Sequence, residues 1–203
     1  MSRAKVTRKE ILRRLSTFLD DKDIVVAALA GTSNECFHTM HRPMNLYMVG
    51  MGMVTSVAFG LARALPHRRT IALDTDGGQL LSPSILPVVG TYKPKNLCMI
   101  VFDNERLYGS RGGPPSQTAS GTDLSVLAKG AGLATCATVE TVEAFSAEFE
   151  RFVSGSGPAE IVCKVEPAYE RGTGPNFSGQ ENKFRFVRLI EESEGVKILE
   201  GAI

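Results

Sequence analysis

The sequence has no excess of charge: 23 basic residues face 22 acidic ones, a formal net charge of +1. Without a basic surplus there is no electrostatic case for binding nucleic acid or an anionic membrane. The one basic run, Ser2 to Arg14, alternates with Ile11 and Leu12 and reads as the polar face of a helix. The chain also lacks a C-x-x-C pair. Its four cysteines, Cys36, Cys98, Cys136 and Cys163, stand far apart, which excludes a zinc knuckle or an iron–sulfur ligand set. Cys98 and Cys163 fall inside apolar runs and are expected to be buried and reduced. No apolar run approaches the ~20 residues of a membrane span, and no signal peptide opens the chain. These absences point to a cytoplasmic protein. Repeats and low-complexity segments are missing too, so the 203 residues, 43% of them hydrophobic, fit one domain over 1–203.

What is present is an alternation. Thr7-x-x-Glu10 is a capping box, and Ile11, Leu12, Leu15, Phe18 and Leu19 follow at helical spacing, predicting an N-terminal helix over 7–20. "DIVVAALA", "TIALD", "NLCMIVFD" and "EIVCKVE" are short apolar runs expected of parallel strands covered on both faces, near 23–30, 70–74, 96–103 and 160–166. Helical segments fit near 51–65, 82–92, 123–131 and 141–153. Strands alternating with helices mean an α/β fold, a parallel sheet with helices on both faces, with its core at about 22–166. A C-terminal extension over 167–203 contains "KFRFVRLIEE", which reads equally as an edge strand or a helix. Two Gly-, Ser- and Pro-rich loops, Tyr108 to Gly121 and Ala168 to Gln180, are long enough to be functional lids.

The polar motifs fall where strands end, and in an open parallel sheet ligands collect there. Gly31-Thr32-Ser33 follows the first strand, Asp74-Thr75-Asp76-Gly77-Gly78 the next, and Asp103-Asn104 the third. Glycines let backbone amides approach an anion closely. A carboxylate at Asp76 would repel a phosphate unless a hard cation lay between them. Magnesium takes a few oxygen ligands from protein and the rest from phosphate and water. Asp76, the amide oxygen of Asn104 and a nearby backbone carbonyl would supply such a partial set, with the glycines serving a diphosphate. A lone D-G-G is ordinarily a turn. The pairing of two polar strand ends 28 residues apart (104 − 76), with a helix between, carries the metal–diphosphate reading.

Thr75-Asp76-Gly77 followed by Asp103-Asn104 resembles the thiamine diphosphate motif, G-D-G and then N-N after just under thirty residues. "DIVVAALAGTS" and "GMGMVTSVAFGLARA" resemble the segments that precede it in thiamine diphosphate-dependent 2-oxoacid decarboxylases. "NLYMVGMG" through "VFDNERLYGSRGG" is most similar to the sulfopyruvate and phosphonopyruvate decarboxylase group. The resemblance spans about 22–165 and implies the pyrophosphate-type domain of the thiamine diphosphate-binding fold. It implies magnesium on Asp76, Asn104 and the backbone carbonyl of Arg106. It implies diphosphate contacts from Gly77, Gly78, Thr32 and Ser33, and a cofactor lined by Gly50, Met51 and Gly52, with Met51 propping it in a bent conformation. Leu107 and Tyr108 would close over the diphosphate. Thr75, Gly78 and Asp103 depart from the residues common at their positions.

The family also implies a second domain that brings a catalytic glutamate to the aminopyrimidine, and one domain has no room for it. The expectation is therefore a pyrimidine-binding partner subunit in an α2β2-type assembly. The resemblance implies a lyase that decarboxylates a small-molecule 2-oxoacid such as sulfopyruvate or phosphonopyruvate. Carboligation of the acetolactate synthase kind is the alternative enzyme reading, and a non-catalytic nucleotide-binding α/β module is the alternative of a different class. No G-x-G-x-x-G follows the first strand, which argues against a Rossmann dinucleotide site. Arg106 and Arg111 flank the start of the glycine-rich loop and suit an anionic substrate. Glu35 reads as a solvated loop residue, His38 and His41 as loop histidines, and His67 as a surface turn.

Overall fold

The computed structural model describes residues 6–109, 112–155, 157–167 and 174–199. Six parallel strands form its sheet in the order β2-β1-β3-β4-β6-β5: β1 (Ile24–Ala28), β2 (Asn45–Val49), β3 (Thr70–Thr75), β4 (Leu97–Asp103), β5 (Thr135–Val139) and β6 (Ala159–Lys164). β3 and β4 are buried along almost their whole length, as their continuous apolar runs predict. On one face lie α1 (Arg8–Ser16), α2 (Gly31–Met40) and, later in the chain, α7 (Val142–Val153). α3 (Val54–Ala64), α5 (Ile85–Tyr92) and α6 (Leu124–Gly130) cover the other face, helped by α8 (Gly179–Glu194). A short α4 (Asp76–Leu81) links β3 to α5. The α/β architecture with a parallel sheet is as expected.

Several elements differ from the sequence reading. The N-terminal helix stops at Ser16, within the expected 7–20, and keeps its capping box on Thr7 and Glu10. α2 replaces an expected loop. Its N-cap is Ala30, which has no side-chain oxygen to announce a helix start. β2 and β5 are the sheet's two edges and only partly buried, so neither shows the continuous apolar run of an inner strand. Gly52, at φ 77°, holds Met51 in the turn ahead of α3, so that helix begins at Val54. α4 begins on Asp76 itself, ahead of the helix expected from Ser82. "KFRFVRLIEE" is helical, launched by a second capping box on Ser178 and Glu181. In the second loop, residues 168–173 lie outside the described residues.

α8 has a definite task, covering the open edge of β2. Asn182 Nδ2 donates to the Tyr47 carbonyl at 2.6 Å, and its Oδ1 accepts from the Tyr47 amide at 3.4 Å. A side-chain amide thus stands in for the missing neighbouring strand. Arg185 donates to the carbonyls of Pro43 and Asn45, and Phe186 and Ile190 bury behind them. On the inner strands, α4 is pinned by a buried polar pair: Gln79 Nε2 donates to Glu160 Oε2 at 2.5 Å. Glu160 on β6 is 1% exposed, and its Oε1 has no hydrogen-bond partner among the described residues. Burial pushes its carboxyl up to about 8, against the pull of the Gln79 hydrogen bond and with a small push from Asp74.

Two outcomes follow from these contacts. Asn182→Ala leaves a strand amide and carbonyl without their partner and should destabilise the fold by about 1–3 kcal/mol in urea titration; a change indistinguishable from an exposed α8 control would remove this role. Glu160 binds its proton more tightly when folded. Its contribution to stability is therefore complete below the unfolded carboxylate range and declines as pH rises toward about 8. Asp74 and Asp76 act in the same direction only up to about 6. The loss of thermal midpoint between about pH 6.5 and 8 should accordingly be smaller in Glu160→Gln than in the wild type; equal slopes would place Glu160 outside this titration.

Candidate functional site: a crevice at the strand-order reversal

From β1 the chain moves outward to β2, then returns to lay β3 on the other side of β1. The loops leaving β1 and β3 therefore diverge and open a crevice at their carboxyl ends. A cavity of about 200 Å³ lies there. Its wall contains Ala28 to Thr32 from the end of β1, Thr75 to Gly77 from the end of β3, and Asn104 with Arg106 to Tyr108 beyond β4. Met51 contributes from the turn after β2, and Arg8 from α1. Backbone strain gathers at the same strand ends: Ala30, Met48, Glu105 and Tyr108 all have φ between 56° and 60°. Such conformations persist only where the surroundings impose them, and they favour functional sites.

The acids at the centre are almost wholly buried. Asp76 and Asp103 are 1% and 2% exposed. Asp76 Oδ2 accepts from Ser116 Oγ at 2.6 Å and from Thr118 Oγ1 at 3.4 Å. Thr118 Oγ1 also donates to Asp103 Oδ1 at 2.7 Å, so one hydroxyl bridges the two acids. Asp103 Oδ2 pairs with Lys164 Nζ at 2.7 Å. Asp76 Oδ1 has no side-chain partner among the described residues. Burial raises the Asp76 carboxyl to about 6, with the Ser116 hydrogen bond opposing and the Asp103 charge adding. Oδ2 of Asp76 is thus clamped by hydroxyls while Oδ1 has no side-chain partner, and no cation pairs with the carboxylate among the described residues. That is the environment of a carboxylate suited to a metal.

Ser116 and Thr118 belong to the glycine-rich loop. Backbone bonds from Leu107 N to Pro114 O and from Ser116 N to Glu105 O fold this loop back on itself, and the two hydroxyls moor it to the acids. Sequence reasoning named the loop and missed these two residues. The only signal was a pair of hydroxyl residues two apart within it. Arg111 lies outside the described residues. Arg8 was also missed, because it sits in a basic run whose side chains were assigned to solvent; it is 6% exposed.

Of the twelve expected cofactor residues, eight line this cavity: Thr32, Met51, Asp76, Gly77, and then Asn104, Arg106, Leu107 and Tyr108. Gly77 is bare for a reason: a Cβ there would lie 3.2 Å from Leu107 Cδ2 and 3.8 Å from the Met51 methyl. The Asn104 amide oxygen accepts from Arg106 N at 3.0 Å, which turns the chain across the mouth. The remaining four stand behind the wall. Ser33 donates its hydroxyl to the Ala28 carbonyl at 2.7 Å and accepts from Met48 N. Gly50 lies in the exposed turn beyond β2. Gly52 packs on Leu81 and Ser82. Gly78 gives its amide to Thr75 Oγ1, and a Cβ on it would fall 2.2 Å from Asp74 Oδ1.

The other polar candidates are structural. Glu35 is not solvated: it is buried on α2 with its Oε2 2.8 Å from Arg8 Nε. His38 also lies on α2, and His41 Nδ1 meets Tyr47 Oη at 2.8 Å. His67 reaches Glu194 at 3.0 Å. All four cysteines are unpaired, and burial raises their thiols. Among the described residues no group of three or more His, Cys, Asp or Glu side chains could hold a metal, and no helix is long and apolar enough to cross a membrane. A cation here would have to take part of its shell from a ligand.

Comparison with known proteins agrees with this geometry. The chain is 31% identical over 187 residues to the sulfopyruvate decarboxylase subunit beta of Methanocaldococcus jannaschii, covering 92% of this chain and 98% of that one. It is 29% identical to the phosphonopyruvate decarboxylase of Streptomyces viridochromogenes, over 93% of this chain and 47% of that protein. Among solved structures it superposes on a putative thiamin diphosphate-dependent enzyme from Mycobacterium smegmatis with a TM-score of 0.67 at 22% identity, covering 81% of this chain. A thiamine diphosphate-dependent 4-hydroxybenzoylformate decarboxylase from Rhodococcus jostii gives the same TM-score at 21% identity, covering 85% of this chain. The chain spans about a third of each solved chain, 32% and 34%. The profile of the thiamine pyrophosphate enzymes' C-terminal TPP binding domain matches residues 30–163, and the chain belongs to that family.

Proposed function

We propose that this chain is the diphosphate- and magnesium-binding subunit of a thiamine diphosphate-dependent decarboxylase acting on a 2-oxoacid such as sulfopyruvate or phosphonopyruvate. The observation that carries the reading is the buried Asp76, with one oxygen clamped and one without a side-chain partner among the described residues, in a crevice that also holds Gly77, Asn104 and Met51. Oδ1 of Asp76, the Asn104 amide oxygen and the Arg106 carbonyl would hold magnesium, and a diphosphate would complete its shell. Thr32 and the Gly77 amide would face the phosphates. Gly78 would serve by absence, since its missing Cβ gives Asp74 room and its amide is already used. Thiamine diphosphate, when bound, supplies an electron sink for the pair left behind as carbon dioxide departs. The chain's own part is to fix that sink's position and keep water away from it. Met51 and Leu107 close over Gly77, and an apolar cavity formed with Leu80 and Leu81 adjoins them.

The site is half of a catalytic centre. Among the described residues, Asp76 is the only carboxylate lining the cavity, and it is assigned to the metal. The glutamate that would act on the aminopyrimidine would therefore come from a second chain. The relatives from Methanocaldococcus jannaschii and Methanococcus maripaludis are each named as a subunit beta, in keeping with such a partner.

Calorimetry should show thiamine diphosphate binding that disappears when magnesium is chelated. Asp76→Asn should cost more than about tenfold in affinity, or 1.4 kcal/mol. Ser116→Ala, which loosens the clamp without touching a ligand, should cost about 10–100-fold in magnesium affinity. A proton competes with the metal for Asp76, so binding should weaken as pH falls through about 6. Binding that survives the chelator, or that follows a nucleotide instead, would defeat the proposal. Decarboxylation should appear only when the partner chain is added.

A further inference from the structure

Within the cavity wall, Arg8 is a cation that the proposed magnesium site leaves unexplained. It stands in the first turn of α1, far in sequence from the strand-end motifs, and its side chain is 94% buried. Nε donates to Glu35 Oε2 at 2.8 Å, and Nη1 donates to Thr32 Oγ1 at 3.3 Å. Nη2 makes no hydrogen bond among the described residues, although the guanidinium lines the same cavity as Asp76 and Asn104. The nearby first turn of α2 is also unsatisfied. Its N-cap, Ala30, has φ 60° and carries no side chain able to cap the amides that follow. A guanidinium with a free nitrogen therefore meets an uncapped helix start.

A purely structural clamp between α1 and α2 is a poor account of this arrangement. Ile11, Leu12 and Leu15 already bury that contact completely, and a well-packed apolar side chain would hold it without the cost of desolvating two charges. Arginine is instead the side chain whose planar fork matches phosphate oxygens.

We propose that Arg8 is a binding residue for the phosphoryl group of the cofactor most remote from the thiazolium, and that it lets the site distinguish a diphosphate from a monophosphate. The inference rests on the proposed function and deepens it. Magnesium on Asp76 would neutralise part of the diphosphate charge. The terminal phosphoryl would still need a donor on the side of the crevice toward α2, and Arg8 Nη2 with the α2 amides supplies it. Glu35 balances the guanidinium charge while the site is empty of anion, and its carboxylate competes with an arriving phosphoryl group for Arg8.

The test is calorimetric titration of the full chain, in magnesium, with thiamine diphosphate and with thiamine monophosphate. Arg8→Ala should lose about tenfold or more in diphosphate affinity while monophosphate affinity changes less than about threefold. Arg8→Lys, which keeps charge without the fork, should fall between Arg8→Ala and the wild type. Glu35→Gln removes the competing carboxylate and should leave diphosphate affinity unchanged or raise it. If Arg8→Ala does not fold, Glu35→Gln and Arg8→Lys decide. Equal losses for both ligands in the Arg8 variants, or a Glu35→Gln loss as large as that of Arg8→Ala or Arg8→Lys, would overturn the inference and leave a clamp. A wild type that binds neither ligand would overturn the proposed function and this inference together.

Discussion

Four carboxylates packed around the ends and centre of three adjacent strands set the terms for the rest of this molecule. Asp74 and Asp76 follow one another with one residue between, Asp103 lies at the tip of β4, and Glu160 lies on β6; each is at most 2% exposed. Buried acids are tolerable only when protonated, hydrogen-bonded or paired. Each answer is used here. Glu160 is pushed toward its protonated form and rests on Gln79. Asp74 accepts the Thr75 amide at 2.8 Å beneath a glycine that leaves it room. Asp103 takes Lys164. Asp76, like Glu160, keeps an oxygen without a side-chain partner and has no cation paired to it among the described residues, and of the four it is the acid that borders the cavity.

Topology explains why the three aspartates fall in one place, although Glu160 stands near the start of β6. Parallel strands deliver every carboxyl end to the same edge of the sheet, and the reversal of strand order between β2-β1 and β3 parts two loops there. A crevice so made has backbone on three sides and few side chains to fill it. The unusual φ values of Ala30, Met48, Glu105 and Tyr108 follow as the chain turns sharply to leave room. Away from that edge the interior is conventional, with Phe145 and Phe149 on one face and Val54, Val89 and Met99 on the other.

The inner strands were legible because burial on both faces writes an unbroken apolar run, and the strand-tip motifs were legible because acid next to glycine is unusual after such a run. The edges were not. β5, Thr135–Val139, is a half-exposed strand of small and β-branched residues whose pattern matches neither a buried run nor a clean alternation. α2 hid because its start has no capping side chain, the same feature that leaves its amides open toward the cavity. Arg8 was assigned to solvent by averaging over a basic run, whereas its side chain turns inward beside Ile11 and Leu12. The clamp of Ser116 and Thr118 on Asp76 depends on a loop folding back over 40 residues of sequence, which no local pattern encodes.

The rim of the crevice carries the last step. Met51 and Tyr108, 39% and 79% exposed, line a cavity whose floor is charged and buried, and Leu81, 64% exposed, lines the apolar cavity beside it. Large apolar side chains rarely gather at the mouth of a finished polar site, because water wets both. Here the floor is organised to hold an anion and a cation, whereas the rim offers surface that gains only when water leaves. The two halves make sense together if a second surface covers the rim and seals the floor. Sealing would lower the local dielectric and strengthen every contact to the metal and the phosphates. The proposed partner chain would then supply more than a glutamate: by excluding water, it would make Asp76 worth burying.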